Sequence, residues 1–334
     1  MKKIKDNELT EILQNTRAAL DELRDKCIFI TGATGFFGKW LTQTLVKANQ
    51  AFNLNLNLTL ISRNREKVLG EQPWLSDSCV EIFSGDVRNF QLIQKKFHYI
   101  IHGATAASAT LNDSSPEVMA DTIIYGTKRV LEQAQLSDCP RFLFLSSGAV
   151  YGAQSPEISH APESILTAPD ITQAASAYGE AKRMAELYCQ FLQRQGKIQL
   201  SIARCYAFLG PNLPIDQHFA AGNFVQDVLL KKTITLSGDG TPFRSYMYPT
   251  DLIEWLLVIL IKARPGSVYN VGSDQEIQLK DLALLIDQQR AKFDLKINQP
   301  GLIVMGQASE QAKRNAYVPL IDKAKNDLGF NVRV

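Results

Sequence analysis

Residues 31–38 read Thr31-Gly32-Ala33-Thr34-Gly35-Phe36-Phe37-Gly38, with glycines three residues apart. A short apolar run at residues 27–31 leads into this stretch, and residues 40–48 follow it with helical periodicity. The order predicts a strand, a tight turn and a helix, which together begin a βαβ unit. Glycines at these positions permit the turn, let backbone approach a pyrophosphate and let the helix pack closely on the strand.

The glycine stretch therefore predicts a dinucleotide site at the amino end of the helix, where free N–H groups attract an anion. The residues expected to contact the dinucleotide are Gly32, Thr34, Gly35, Phe36, Phe37 and Gly38. A site specific for NAD carries Asp or Glu at the end of the second strand, whereas this chain has Ser62-Arg63-Asn64. Arg63 can face the 2′-phosphate of NADP or point into solvent, so among NAD(P) cofactors NADP is slightly favoured over NAD.

Further strand signals alternate with helical stretches along the chain. The predicted strands lie at residues 54–61, 80–83, 99–102, 142–146 and 200–204, and the predicted helices at 117–135 and 176–195. This alternation predicts an α/β fold with a Rossmann-type, doubly wound parallel sheet. Ahead of the first strand, leucines and isoleucines at helical spacing predict one amphipathic helix over residues 8–24.

The texture of the sequence changes after Gly210-Pro211, where shorter elements and more turn signals begin. We therefore predict an N-terminal helical segment over residues 1–25 and an NAD(P)-binding domain over residues 26–206. A smaller α/β substrate domain follows over residues 207–334. Within it, residues 247–261 are expected to pack back on the first domain.

Composition excludes several classes of protein. Lys plus Arg number 36 and Asp plus Glu number 34, and this near balance gives no field that predicts nucleic acid or a membrane surface as partner. The longest apolar run, residues 255–261, is too short to cross a bilayer. Five cysteines without a Cys-x-x-Cys motif predict reduced thiols and a cytoplasmic protein. His98 and His102 are separated along a strand, so no metal site is predicted.

Tyr178 and Lys182 lie four residues apart within a predicted helix, so they share one face. An ammonium ~5 Å from a phenol, at an effective dielectric near 20, favours the phenolate by roughly 3 kcal/mol. That interaction predicts a pKa for Tyr178 that is about two pH units below the ~10 of an ordinary tyrosine. Tyr178 is therefore the candidate general base.

Together these motifs resemble the extended short-chain dehydrogenase/reductase superfamily, in its NAD(P)-dependent nucleotide-sugar epimerase/dehydratase branch. The resemblance runs from about Lys26 to the carboxyl end. Beyond the glycine stretch and the Tyr178/Lys182 pair, the matching motifs are Ser84-Gly85-Asp86-Val87, the residues 102–108, the residues 146–152 and Tyr269-Asn270-Val271-Gly272-Ser273.

The resemblance implies roles for individual residues. Ser147 would bond the C4 oxygen of the sugar while Tyr178 removes the C4 hydroxyl proton, and Lys182 would bond the nicotinamide ribose. The implied cofactor contacts also include Asp86, Val87, Ala104, Thr105, Ala106 and Ser146. The implied substrate contacts are Ser108, Ser147, Asn223 and Arg244, the last two at the diphosphate, where a guanidinium can pair bidentately. An internal salt bridge is the other interpretation of Arg244.

Four positions depart from the family pattern. Dehydratases of the family carry Asp-Glu after the serine, and related decarboxylases carry a Glu at the second of these positions. This chain has Gly148 and Ala149 there, so both activities are disfavoured. Ala207 and Ile123 stand where the family usually has asparagine, which predicts an unusual substrate or weakened chemistry.

The favoured hypothesis is a 4-epimerase that acts on a nucleotide-linked hexose through a 4-keto intermediate. Decarboxylation of a uronic acid remains an alternative, because residues 106–108 and 238–246 look more like a decarboxylase. Dehydratase-like elimination and reduction of a preformed 4-keto sugar are further alternatives. A hypothesis of another class is a dinucleotide-binding sensor without catalysis. The resemblance also implies a homodimer.

Overall fold

The computed structural model of the protein describes residues 4–105, 114–215, 219–295, 301–307 and 313–333. In the N-terminal part the strands are β1 Cys27–Thr31, β2 Asn57–Ser62, β3 Val80–Ser84, β4 Tyr99–His102, β5 Arg141–Ser147 and β6 Gln199–Cys205. The helices there are α1 Asp6–Asn15, α2 Arg17–Asp21, α3 Phe36–Phe52, α4 Arg65–Glu71, α5 Pro116–Ala134 and α6 Ala177–Arg194.

The C-terminal part continues with α7 Ala220–Leu229, β7 Ile234–Leu236, β8 Phe243–Ser245, α8 Pro249–Lys262, β9 Ser267–Val271, β10 Glu276–Gln278, α9 Leu279–Gln288, β11 Leu302–Val304, β12 Ala316–Tyr317 and α10 Asp322–Leu328. Here β8 pairs with β10 and β12, and β7 pairs with β11. Helix α8 packs against α1 and α3 as well as against β5 and β6.

Seven parallel strands form the central sheet in the order β3-β2-β1-β4-β5-β6-β9. From β1 the chain adds β2 and β3 on one side. It then returns to the other side of β1 with β4 and continues outward from there. The two directions meet between β1 and β4, where Thr31 pairs with His102. Crevices at such a reversal of strand order are where doubly wound sheets bind ligands. The predicted α/β, doubly wound fold is confirmed.

Alternate side chains of the strands fill two hydrophobic layers. Ile28 and Ile30 join the layer beneath α1, α3 and α8, whereas Phe29 points to the opposite layer with Phe142 and Phe144, beneath α5 and α6. Burial on both faces is why these strands read as continuous apolar runs rather than alternating ones. The helices on the two faces hold the carboxyl ends of the strands at one edge.

Two local predictions differ from the structure. The single helix expected over residues 8–24 is broken at Thr16, whose hydroxyl donates to the Ile12 carbonyl at 2.6 Å. The strand expected from Leu54 begins only at Asn57. Asn53 and Asn55 have φ of 49° and 53°, left-handed values that Asn tolerates better than most residues. The Asn and Leu alternation is therefore part of a turn, and only its last residues are strand.

Candidate active site

The glycine stretch forms a close contact between β1, α3 and the end of β4. Gly32 has a φ of 78°, and a Cβ atom there would lie 2.6 Å from the Gly103 carbonyl carbon. A Cβ atom on Gly38 would lie 2.2 Å from the Gly32 carbonyl oxygen. No side chain fits at either position, while Thr34 and Gly35 are exposed at the start of α3. The backbone is thus bare where a pyrophosphate would approach, and the site fits a dinucleotide. Phe36 and Phe37, also expected to contact the dinucleotide, form the first turn of α3 and are half-buried.

Three other predicted cofactor residues surround this site. Ala104 donates its N–H to Thr31 Oγ1 at 3.2 Å, which fixes the chain just after β4. Thr105 has a buried hydroxyl without a partner in the part of the chain that is described. Val87 packs against Gly126, where an added Cβ would lie 3.0 Å from a Val87 methyl carbon. Ala106 and Ser108 lie outside the described residues.

Arg63 and Asp86 lie beyond the ends of β2 and β3. Arg63 is exposed, and its charge helps to lower the pKa of Asp86. The main cause of that lowered pKa is a hydrogen bond from Arg88, whose Nε lies 2.9 Å from Asp86 Oδ1. An arginine and a carboxylate therefore occupy the edge of the sheet where an adenosine ribose would lie.

Ser147, Tyr178 and Lys182 come together at the end of β5. Helix α6 lies so close to the chain after Ser147 that a Cβ atom on Gly179 would be 2.7 Å from the Ala149 carbonyl oxygen. The Tyr178 phenol lies near Ser147, whose hydroxyl lowers the pKa of Tyr178. Lys182 Nζ donates to the Leu145 carbonyl at 2.8 Å.

The predicted pKa of Tyr178 is wrong for this structure. Burial raises the pKa of Tyr178 to about 12, and the Ser147 hydroxyl offsets this only in part. Burial also lowers the pKa of Lys182 to about 8. A half-solvated pair would have the predicted pKa, whereas here desolvation disfavours the charged form of both groups.

Ser146 forms a buried polar network that the sequence argument missed. Its hydroxyl donates to Glu186 Oε1 at 2.5 Å, and Arg204 pairs with both oxygens of the same carboxylate. Arg204 also donates to the Tyr151 hydroxyl at 2.9 Å. Glu186 stands four residues after Lys182 on one helix face, a spacing that could have revealed it. Ser146 thus has a protein partner in this structure in addition to its predicted cofactor role.

Gly148 lies beneath two aromatic rings that we call the tyrosine pair, Tyr206 and Tyr317. A Cβ atom at position 148 would lie 2.7 Å from Tyr206 Cζ and 2.8 Å from the Tyr317 hydroxyl oxygen. The ring centroids are 4.6 Å apart. Tyr317 Oη lies 3.5 Å from Ser147 Oγ. The sequence argument gave neither tyrosine a role, and no local pattern marks them.

Arg244 is on β8, in register with Tyr317 of β12. It is half-buried and donates to the Phe243 carbonyl at 2.7 Å. Within the described residues it has no carboxylate partner, so the internal salt bridge is not observed. Asn223 is half-buried on α7, and no hydrogen bond joins it to Arg244 among the residues described. Ile123 lies on α5, and its side chain is buried in the hydrophobic core.

His102 stands beneath the site and is fully buried. Its two ring nitrogens bond to Thr31 at 2.7 Å and Thr127 at 3.0 Å. Burial lowers its pKa to about 3, so the ring is neutral. Among the described residues no group of three or more His, Cys, Asp or Glu could hold a metal ion.

A sequence model of the NAD dependent epimerase/dehydratase family matches residues 28–272. The chain belongs to this family. UDP-glucuronic acid decarboxylase 3 of Arabidopsis thaliana is 27% identical over 322 residues, which span 96% of this chain and 88% of that protein. The predicted family is thereby confirmed. It is a family of NAD-dependent enzymes that act on nucleotide sugars.

Solved structures of this extended short-chain dehydrogenase/reductase class share the fold. UDP-glucuronic acid 4-epimerase from Bacillus cereus, in complex with UDP-glucuronic acid and NAD, aligns with a TM-score of 0.75 at 23% identity, over 92% of this chain and 94% of that chain. UDP-glucose 4-epimerase from Thermotoga maritima, with UDP-glucose, aligns with a TM-score of 0.75 at 20% identity, over the same shares. No helix among the described residues is long and apolar enough to span a membrane.

Proposed function

We propose that this family member oxidises the C4 hydroxyl of a nucleotide-linked hexose and completes the reaction as a 4-epimerase. The observation that carries the proposal is the contact of Tyr178 with Ser147 beside Lys182, at the carboxyl edge of a sheet that also presents the bare glycine stretch. Proton transfer and redox chemistry need these two sites side by side. The proposal assigns each site residue to one of them.

In the proposed reaction Tyr178 Oη accepts the proton of the C4 hydroxyl, and Ser147 Oγ holds the C4 oxygen. Tyr178 can accept this proton only after it has lost its own proton to solvent. Lys182, with a pKa of about 8, is mostly protonated at neutral pH and stabilises that phenolate until the C4 proton neutralises it. Bound NAD supplies reversible oxidation of the sugar carbon. Gly32, Gly35 and Gly38 would hold its diphosphate, with Asp86 and Val87 at the adenine end.

For the substrate diphosphate we propose Arg244, with Asn223 as a second contact. Arg244 is a half-buried guanidinium that lacks a carboxylate partner in the described structure, and a phosphate satisfies such a group bidentately. Arg244 is in register with Tyr317, whose hydroxyl oxygen lies 3.5 Å from Ser147 Oγ, and this arrangement supports a sugar held between Arg244 and Ser147.

Decarboxylation of a uronic acid is the second candidate. The likeness to UDP-glucuronic acid decarboxylases over 96% of the chain favours it. Gly148 and Ala149 weigh against it, because neither side chain can move a proton. Oxidation at C4 is common to both candidates, so the same catalytic residues serve either one.

The test is to incubate the protein and NAD(P) with UDP-glucose, UDP-glucuronic acid and dTDP-glucose while following the sugar by NMR. Inversion at C4 without release of carbon dioxide supports the 4-epimerase. Carbon dioxide and a pentose product support the second candidate. Net consumption of reduced cofactor with a 4-keto sugar indicates a reductase. Absence of turnover on all 4-hydroxyl sugars contradicts the proposal and favours a sensor.

For the cofactor we propose a slight preference for NADP over NAD. Exposed Arg63 at the end of β2 supports it, while Asp86 nearby opposes a 2′-phosphate. Replacing Arg63 by alanine is expected to weaken NADP binding about tenfold and to leave NAD binding unchanged, since one phosphate contact is worth roughly 1.5–3 kcal/mol before screening. Titration calorimetry with both cofactors measures this. Tighter binding of NAD by the unmodified protein would contradict the preference.

We also propose a cytoplasmic homodimer. Its support is an exposed apolar face on the packed helices α5 and α6, which includes Tyr125, Leu187 and Phe191, exposed by 52%, 47% and 43%. A second copy of the same face would cover these side chains symmetrically. All five cysteines are free thiols, in keeping with a reducing compartment. Light scattering of the purified chain tests the dimer, and a monomer at micromolar concentration contradicts it.

A further inference from the structure

We infer that Tyr317 is a positioning residue for Ser147: its phenol donates a hydrogen bond to Ser147 Oγ and so directs the serine proton toward Tyr178 and the sugar oxygen. The inference rests on the proposed function for the nature of that sugar. The contacts of Ser147 with Tyr317 and with the Ala149 N–H rest on geometry alone. Tyr317 reaches Ser147 from β12, 170 residues further along the chain.

The number of hydrogen bonds that the Ser147 hydroxyl can donate and accept limits the directions of the bonds around it. Ser147 Oγ has one proton to give and two lone pairs to fill. One lone pair accepts the Ala149 N–H at 3.1 Å. Tyr317 Oη lies 3.5 Å from Ser147 Oγ, where either oxygen can donate, and it fills the second lone pair when Tyr317 is the donor. With both acceptor positions used, the proton of Ser147 is left for Tyr178 Oη or for an oxygen of the substrate.

Electrostatics assign the donor role to Tyr317 rather than to Tyr178. Burial raises the pKa of Tyr317, and the nearby Tyr178 and Cys205 raise it further when they ionise, whereas Ser147 and Arg244 lower it. Once Tyr178 carries the phenolate, Tyr317 therefore remains protonated. A protonated phenol on one side and a phenolate on the other give Ser147 a single consistent orientation.

Tyr206 provides a matched comparison within the tyrosine pair. Its ring packs against Tyr317 at a tilt of 35° and lies over Gly148, but its hydroxyl is buried without a hydrogen-bond partner in the described structure. Tyr206→Phe and Tyr317→Phe thus delete the same atom from neighbouring rings and keep both rings in place. Only the second deletion removes a contact to Ser147.

The first test measures kcat, KM and the pH profile of both variants in the full chain with cofactor. Tyr317→Phe is expected to lower kcat about tenfold, in line with one lost hydrogen bond, and to leave KM within about twofold. In Tyr317→Phe the apparent pKa of the catalytic base is also expected to rise, because the Tyr178 phenolate loses an oriented hydrogen-bond donor. Tyr206→Phe is expected to change kcat less than about twofold. Equal losses in the two variants, or none in Tyr317→Phe, would overturn the inference.

A second test needs no turnover. In protein labelled with ¹³C at the tyrosine Cζ atoms, the Tyr178 signal is identified by its absence from Tyr178→Phe. It is expected to begin titrating at higher pH in Tyr317→Phe than in the unmodified chain or in Tyr206→Phe. An inactive protein that shows this difference contradicts the proposed function but supports the hydrogen-bond chain. Identical titration in all three proteins contradicts the hydrogen-bond chain.

Discussion

The glycine stretch and the tyrosine pair are built in opposite ways. The glycine stretch is local, because its residues are consecutive and Gly32 and Gly38 meet where β1 turns into α3. The tyrosine pair is assembled from β12, the end of β6 and the turn after β5, so Gly148, Tyr206 and Tyr317 meet only in the folded chain. The first region fits the cofactor of an NAD-dependent family, and the second lies against Ser147, the residue proposed to bind the sugar. Each can therefore be damaged without the other.

Tyr178→Phe gives the largest expected effect. It changes the site around Ser147 and leaves the glycine stretch unaltered. Loss of the general base is expected to lower kcat by about a thousandfold, within the usual range for acid–base catalysis. Binding of NAD or NADP is expected to stay within about twofold, since the glycine stretch is untouched. Kinetics with calorimetry measure both quantities. A parallel loss of cofactor binding would mean that the two regions are not separable.

Gly32→Ala reverses the pattern. The new Cβ would meet the Gly103 backbone at 2.6 Å in a residue with a φ of 78°, so cofactor binding is expected to weaken at least a hundredfold. Gly196→Ala is the control, because Gly196 has a φ of 67° but no atom within 4 Å of the added carbon. It is expected to cost about 1–2 kcal/mol of stability and no cofactor affinity. Equal effects on binding would show that backbone strain alone explains the loss.

Gly148→Ala tests whether the tyrosine pair needs a bare backbone. One methyl group would displace Tyr206 and Tyr317, and kcat is expected to fall about thirtyfold with cofactor affinity unchanged. Gly70→Ala is the control, since Gly70 lies in α4 with open space around it. Its kcat and cofactor affinity are expected to match those of the unmodified protein. Full activity in Gly148→Ala would mean that the rings can move without consequence.

His102 gives the smallest expected effect, because its ring bonds to Thr31 and Thr127 and its titration changes only the stability of the fold. Its folded pKa of about 3 is below the unfolded value near 6.5, so the unfolded chain binds the extra proton and stability falls as pH drops below about 6.5. From pH 7 to pH 5.5 this group is expected to cost about 1 kcal/mol. Urea unfolding measures it. His102→Gln is less stable at pH 7, and its gap from the unmodified protein narrows by that amount at pH 5.5. A constant gap would contradict the neutral ring.

The sequence predicted the fold for identifiable reasons, and it also singled out residues that the structure brings together in the candidate site. Cys27–Thr31 and Tyr99–His102 have the predicted bounds because buried parallel strands are short, continuous apolar runs. The start of β2 was missed because Asn53 and Asn55 adopt left-handed conformations that a hydrophobic pattern does not show. Tyr178 and Lys182 were singled out from their helical spacing together with the glycine stretch upstream, and their roles remain a prediction. The spacing did not predict their pKa values, because it says nothing about solvent exclusion.

By itself the sequence determined the glycine stretch, the alternation of strands and helices and the shared helix face of Tyr178 and Lys182. These follow from φ limits, side-chain periodicity and hydrogen-bond spacing within a few residues. Only the tertiary structure decided that Tyr178 is desolvated, that Glu186 pairs with Arg204 and that Tyr317 reaches Ser147 above Gly148. Burial and contacts across 170 residues depend on how helices and strands pack, and no local pattern records them.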